Sequence, residues 1–240
     1  MYKRQVAVFD DAHQENAING ITAGIFGASG QSCIAGSRLY LQKGIYDEFL
    51  DKLTKRAEKI KIGAPMDPDT EMGPLSNFKQ LEIIEKNIKK TIEQGGKVRC
   101  GGKRHPFSNE GYYFPPTIIE CDNHSLPTAE NELFGPVLSV MKFNNEKEVI
   151  EKMNDNQYGL SSGVYTSDFA RGLRVSNAIR AGITFVNTYR LISPSAPFGG
   201  IKDSGYGKEA GMESIKDYTR VKTTWYYTSD EPTLDPFSIR

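Results

Sequence analysis

Apolar residues recur at helical spacing in some stretches of the chain and run together in others. Ala17, Ile18, Ile21 and Ile25 form a stripe at steps of three and four. Asp10 or Asp11 is placed to cap the helix they define, and Gly27 interrupts it. A turn rich in glycine and serine, GASGQSC, leads into a β-type run at 37–42. Residues 45–60 are amphipathic, with Ile45, Phe49, Leu53 and Ile60 near one face. Ser76 is read as the N-cap of a further helix carrying Leu81, Ile84, Ile88 and Ile92. The Gly95-Gly96 pair ends it in the manner of a left-handed C-cap.

In the second half, Val98 and residues 117–120 read as short strands. Residues 137–143 form a nearly unbroken apolar run, the pattern of a strand covered on both faces. There follow a helix at 146–154 capped by Asn145, a strand at 162–165, a helix at 168–180 and a strand at 183–187. This alternation predicts an α/β fold, a mostly parallel open sheet with helices on both faces. A loop at 188–204 precedes a short helix near 208–217. Residues 221–228, VKTTWYYT, are β-branched and aromatic and predict a last strand, followed by an extended arm. The expected organisation is a thiol-bearing domain over 1–205, a helix within 206–220, and a strand and tail over 221–240.

Composition narrows the function. Lys+Arg 30 balances Asp+Glu 30, so no net charge favours nucleic acid or an anionic membrane. The longest apolar stretches are too short to span a bilayer, and the basic start MYKRQ leads into no apolar signal core. Cys33, Cys100 and Cys121, with His13, His105 and His124, are spaced for neither a disulfide framework nor a zinc site. The expectation is a reduced, cytoplasmic setting. Cys33 stands out by its surroundings. Small residues on either side allow a tight backbone turn and close approach of a ligand. Converging N–H groups can lower a thiol's pKa and can also steady an oxyanion. The competing reading is a small cysteine buried in the core.

Residues 29–38, SGQSCIAGSR, resemble the active-site segment of the aldehyde dehydrogenase superfamily. Glu132-Leu-Phe-Gly-Pro136, Asn156-Gln-Tyr-Gly-Leu-Ser161, Phe185-Val-Asn187 and Pro197-Phe-Gly-Gly200 resemble further motifs, in the family's order. Lys202-x-Ser-Gly-x-Gly-Lys-Glu209 and Tyr218-Thr-x-Val-Lys222 complete the series. The resemblance implies oxidation of an aldehyde to a carboxylic acid with NAD or NADP. Cys33 would attack the carbonyl to give a thiohemiacetal and then a thioester, and its own N–H would form part of the oxyanion hole. Glu132 and Phe134 correspond to the residues beside the nicotinamide-side ribose, Phe198 and Asn187 to the aldehyde pocket, and Glu209 to an acid that relays protons during thioester hydrolysis. The final strand corresponds to the family's oligomerisation strand, so a homo-oligomer is expected. Lys202 and Lys208 are read as surface or helix-end charges.

The chain departs from the family in what it lacks. Most of the dinucleotide-binding half, the oxyanion-hole asparagine and the general-base glutamate of an E-L-G-G-K-x-P segment would lie before Met1. MYKRQ does not match that segment, although Lys3 falls where the family has lysine. The fragment is therefore expected to be impaired in NAD(P)-dependent turnover. Two other readings compete. One is a thiol esterase or acyl-transfer enzyme independent of nicotinamide, which lacks a visible Cys/His pair. The other is a non-catalytic remnant with an unreactive Cys33.

Overall fold

In a computed structural model, which describes residues 4–104 and 111–238, seven strands form one sheet in the order β3-β4-β5-β2-β1-β7-β8. These are β1 (Gln5–Val8), β2 (Arg38–Gln42), β3 (Lys97–Cys100), β4 (Thr117–Glu120), β5 (Val137–Phe143), β7 (Ser161–Tyr165) and β8 (Ile183–Val186). All neighbours pair parallel except β3 with β4. A two-stranded antiparallel ribbon, β6 (Tyr158–Gly159) with β9 (Ile201–Lys202), lies outside this sheet. The mostly parallel α/β sheet agrees with the sequence pattern. Lys3 and His105 lie outside the described residues.

The sheet is covered on both sides, and the strand alternation shows how. Val6 and Val8 of β1, Leu39 and Leu41 of β2, and Leu138 and Val140 of β5 face one layer. They pack against α1 (Gln14–Phe26) and α2 (Tyr46–Glu58). Ala7, Tyr40, Met141 and Phe143 face the other, with α3 (Phe78–Glu93), α5 (Glu146–Asn154) and α6 (Phe169–Ala178). Two short helices, α4 (Pro127–Glu130) and α7 (Ile215–Tyr218), complete the set. Strands buried on both faces cannot afford polar alternation, which is why they read as apolar runs.

Several expectations need correction. The strand β1 has no counterpart among them, yet it is central, paired with both β2 and β7. Helix α1 is capped by His13, whose Nδ1 accepts from Asn16 N, and not by Asp10 or Asp11. Asp11 instead accepts from Thr166 Oγ1, Asp168 N and Arg171 Nη1. Helix α3 is capped by Asn77, extended at φ −159°, with its side chain accepting from Gln80 N, and not by Ser76. The helix near 208–217 is reduced to a 3-10 turn at Met212–Ser214 and α7. Gly207, Ala210 and Gly211 hold positive φ, which a right-handed helix excludes. The segment 221–228 forms no strand among the described residues, and Val221 and Trp225 are 100% and 92% exposed. Strand propensity needs a partner to pair with, and none of the described residues provides one there.

Candidate active site

The loop from α1 to β2 carries Cys33. Its backbone makes a left-handed bend in which Ala28, Ser29 and Gly30 have φ of 53°, 54° and 70°. For the two residues with a Cβ this costs roughly 1–2 kcal/mol each, so other contacts must hold the bend. Ser29 Oγ donates to Gly73 O at 2.8 Å. The Gln31 side chain donates to Ser76 Oγ at 2.9 Å and accepts from Ser76 N at 3.0 Å. Ser76 thus clamps the cysteine loop instead of starting α3. A Cβ on Gly30 would overlap the Gly135 carbonyl, so glycine here lets the loop press onto the Glu132-Leu-Phe-Gly-Pro136 turn.

Arg4 ties these two segments together. Its Nε donates to Cys33 O, and its Nη2 lies 2.8 Å from Glu132 Oε1. Its guanidinium carbon sits 5.9 Å from the centre of the Phe134 ring. Both partners of the ion pair are buried, with side chains 1% and 9% exposed. Burial pulls the Arg4 pKa below the ordinary arginine value, partly offset by the Glu132 charge. Sequence reasoning gave Arg4 no role.

Cys33 itself is half-buried and opens on a cleft of about 620 Å³. Phe198 and Glu209 line the same cleft, with Leu160, Tyr206 and Tyr218. Phe198 and Glu209 are locked as an antiparallel pair, each N–H donating to the other's carbonyl at 2.7 Å. Glu209 is exposed and does not start a helix. Lys208 is no helix-end charge: its Nζ donates to Gly199 O and Gly200 O at 2.9 and 2.7 Å, holding the Pro197-Phe-Gly-Gly200 loop. Lys202, with φ 54°, likewise donates to Asn154 O and Asn156 O, and burial lowers its pKa. Asn187 is not on the cleft. Its side-chain amide donates to Thr166 O at 2.8 Å and accepts from Thr166 N at 3.0 Å.

The Cys33 N–H makes no hydrogen bond among the described residues. Cys100 and Cys121 are buried on opposite faces of the sheet. Burial pushes the Cys100 thiol up to about 11 and raises that of Cys121 as well. No group of three or more His, Cys, Asp or Glu able to hold a metal occurs among the described residues. No described helix is long and apolar enough to cross a membrane.

Residues 3–224 match the model of the aldehyde dehydrogenase family. The chain belongs to that family. It is 47% identical over 239 residues to the (Z)-2-((N-methylformamido)methylene)-5-hydroxybutyrolactone dehydrogenase of Acinetobacter baylyi, a match covering 99% of this chain and 49% of that protein. It is 41% identical to the betaine aldehyde dehydrogenase of Brucella anthropi, covering 93% of this chain and 46% of that one. The solved NAD+ complex of an aldehyde dehydrogenase from Bacillus cereus superposes with a TM-score of 0.91 at 38% identity. That match covers 95% of this chain and 46% of the other. The chain spans about half the length of the curated relatives it matches.

Aldehyde dehydrogenases are oxidoreductases acting on aldehydes, and NAD(P) is the family's cofactor. Glu132 borders two spaces, one of them a cleft of about 490 Å³. The Glu132 carboxylate is held by Arg4, and the space between Arg4, Gly30, Glu132 and Phe134 is about 10 Å³, room for about one water.

Proposed function

We propose that these residues form the thiol-bearing half of an enzyme that oxidises an aldehyde to a carboxylic acid, with Cys33 as the nucleophile. The observation that supports it most is the cleft that brings Cys33, Phe198 and Glu209 together from three separated segments. The Cys33 thiolate adds to the aldehyde carbon, and the C=O π electrons move onto oxygen. The free Cys33 N–H receives the resulting oxyanion, and protonation gives the thiohemiacetal. Phe198 packs beside the aldehyde's substituent. Glu209, exposed to solvent at the cleft and fixed through its bridge to Phe198, relays protons when a thioester is hydrolysed. NAD(P), when bound, would accept the hydride whose loss turns the thiohemiacetal into the thioester; the residues described here are assigned only the addition before it and the hydrolysis after it. The 240-residue chain is expected to be impaired in NAD(P)-dependent turnover.

The exposed apolar run of Val221, Trp225, Tyr226 and Tyr227 is read as a self-association strand that forms only against a second copy. The chemistry is tested by alkylation of Cys33 with iodoacetamide, followed by mass spectrometry with and without a small aldehyde. Protection of Cys33 by the aldehyde is the expected result. An alkylation rate unaffected by aldehyde would overturn the reading.

A further inference from the structure

Arg38 opens the interior strand β2, flanked by Gln5 of β1 and Ser139 of β5. It is 1% exposed, and its Nε and Nη2 have no hydrogen-bond partner among the described residues. A guanidinium withdrawn from water without partners is strongly unfavourable, and an anion bonded to this edge would offset that cost. Arg38 lines a cleft of about 490 Å³ that shares no lining residue with the Cys33 cleft.

Other polar groups around this cleft are already engaged. Asn156 donates to Met153 O and accepts from Tyr158 N, and Gln157 donates to Tyr158 Oη. Glu132 also lines the cleft, but one of its carboxylate oxygens belongs to Arg4. Glu130 and Asp155 are exposed at the cleft. Asp155 acts on Arg38 through its charge but is not bonded to it.

We propose that Arg38 is the receptor of a carboxylate-binding site. Its Nε and Nη2 form the planar edge that takes both oxygens of a carboxylate in parallel hydrogen bonds. The carboxylate comes either from a small molecule or from an acidic side chain of a second copy of the chain.

The full 240-residue chain, labelled with nitrogen-15, distinguishes these sources through the Arg38 Nε–H resonance, assigned with Arg38→Lys. Thermal unfolding provides a second readout that does not depend on that variant folding. Millimolar acetate is expected to shift the resonance saturably and raise the melting midpoint, whereas chloride at matched ionic strength does neither. That result assigns a free carboxylate. A shift on raising the protein concentration without acetate, reversed by acetate, supports the site with a second copy as the source. Responses to chloride equal to those to acetate, or none to either acetate or concentration, overturn the proposal.

Discussion

Arg4 and Glu132, 128 positions apart in sequence, form a buried ion pair at 2.8 Å that joins the cysteine loop to the turn before β5. Removing one member leaves an uncompensated buried charge. Arg4→Met or Glu132→Met alone is expected to cost about 3–5 kcal/mol. The double variant should lose much less than the sum of the two. Urea unfolding of the four proteins in a double-mutant cycle measures the coupling. Additive losses would show that the two residues act independently.

Cys33 should be the first cysteine to react. With its pKa near 11, Cys100 has roughly one thiolate in a thousand at pH 8, and burial shields it as well as Cys121. Limiting iodoacetamide should add one group per chain, mapping to Cys33 and abolished by Cys33→Ser. Earlier labelling of Cys100 or Cys121 would contradict the assignment.

Buried tyrosines predict alkaline instability. Burial pushes Tyr40 and Tyr189 up to about 12, against an ordinary value of 10. A phenol whose pKa is higher in the folded state binds its proton more tightly there. Its contribution is therefore complete below pH 10 and is lost between pH 10 and 12. The urea midpoint should be level from pH 7 to about 9.5 and fall steeply above pH 10, with phenolate absorbance appearing together with unfolding. Phenolate formation at Tyr40 and Tyr189 with unchanged stability would refute this.

The exposed C-terminal segment predicts self-association. Sedimentation should show the 240-residue chain as a dimer or larger, and removal of 221–240 should return it to a monomer. Identical monomeric profiles for both would remove the role given to this strand.

The helix and strand pattern was legible where local periodicity and tertiary burial agree, as in α5 with its Asn145 cap and in β5. It failed where a partner decides the outcome. Four residues of β1 carry too little periodicity to be seen alone, although neighbours on both sides make that strand central. Residues 221–228 carry strand propensity but have no strand partner among the described residues. The motif words located Cys33, Phe198 and Glu209, which share a cleft, but gave no sign that the Asn187 amide closes on Thr166. Arg4, Lys202 and Lys208 look like ordinary surface cations in sequence, because the carbonyls and carboxylate they bind are distant or carry no side-chain signal. Nor does the pattern show which edge of the sheet bears the site. Cys33, Gly135, Leu160 and Gly182 all lie just ahead of their strands, at the amino ends, whereas open parallel sheets usually bind ligands at the carboxyl ends.

Addition of an aldehyde to the Cys33 sulfur is tested most directly by carbon-13 NMR of the full chain with a small aldehyde labelled at its carbonyl carbon. The account predicts a thiohemiacetal carbon resonance in the unaltered protein that is missing from Cys33→Ser. A spectrum without that resonance, or one in which Cys33→Ser retains it, would contradict the account.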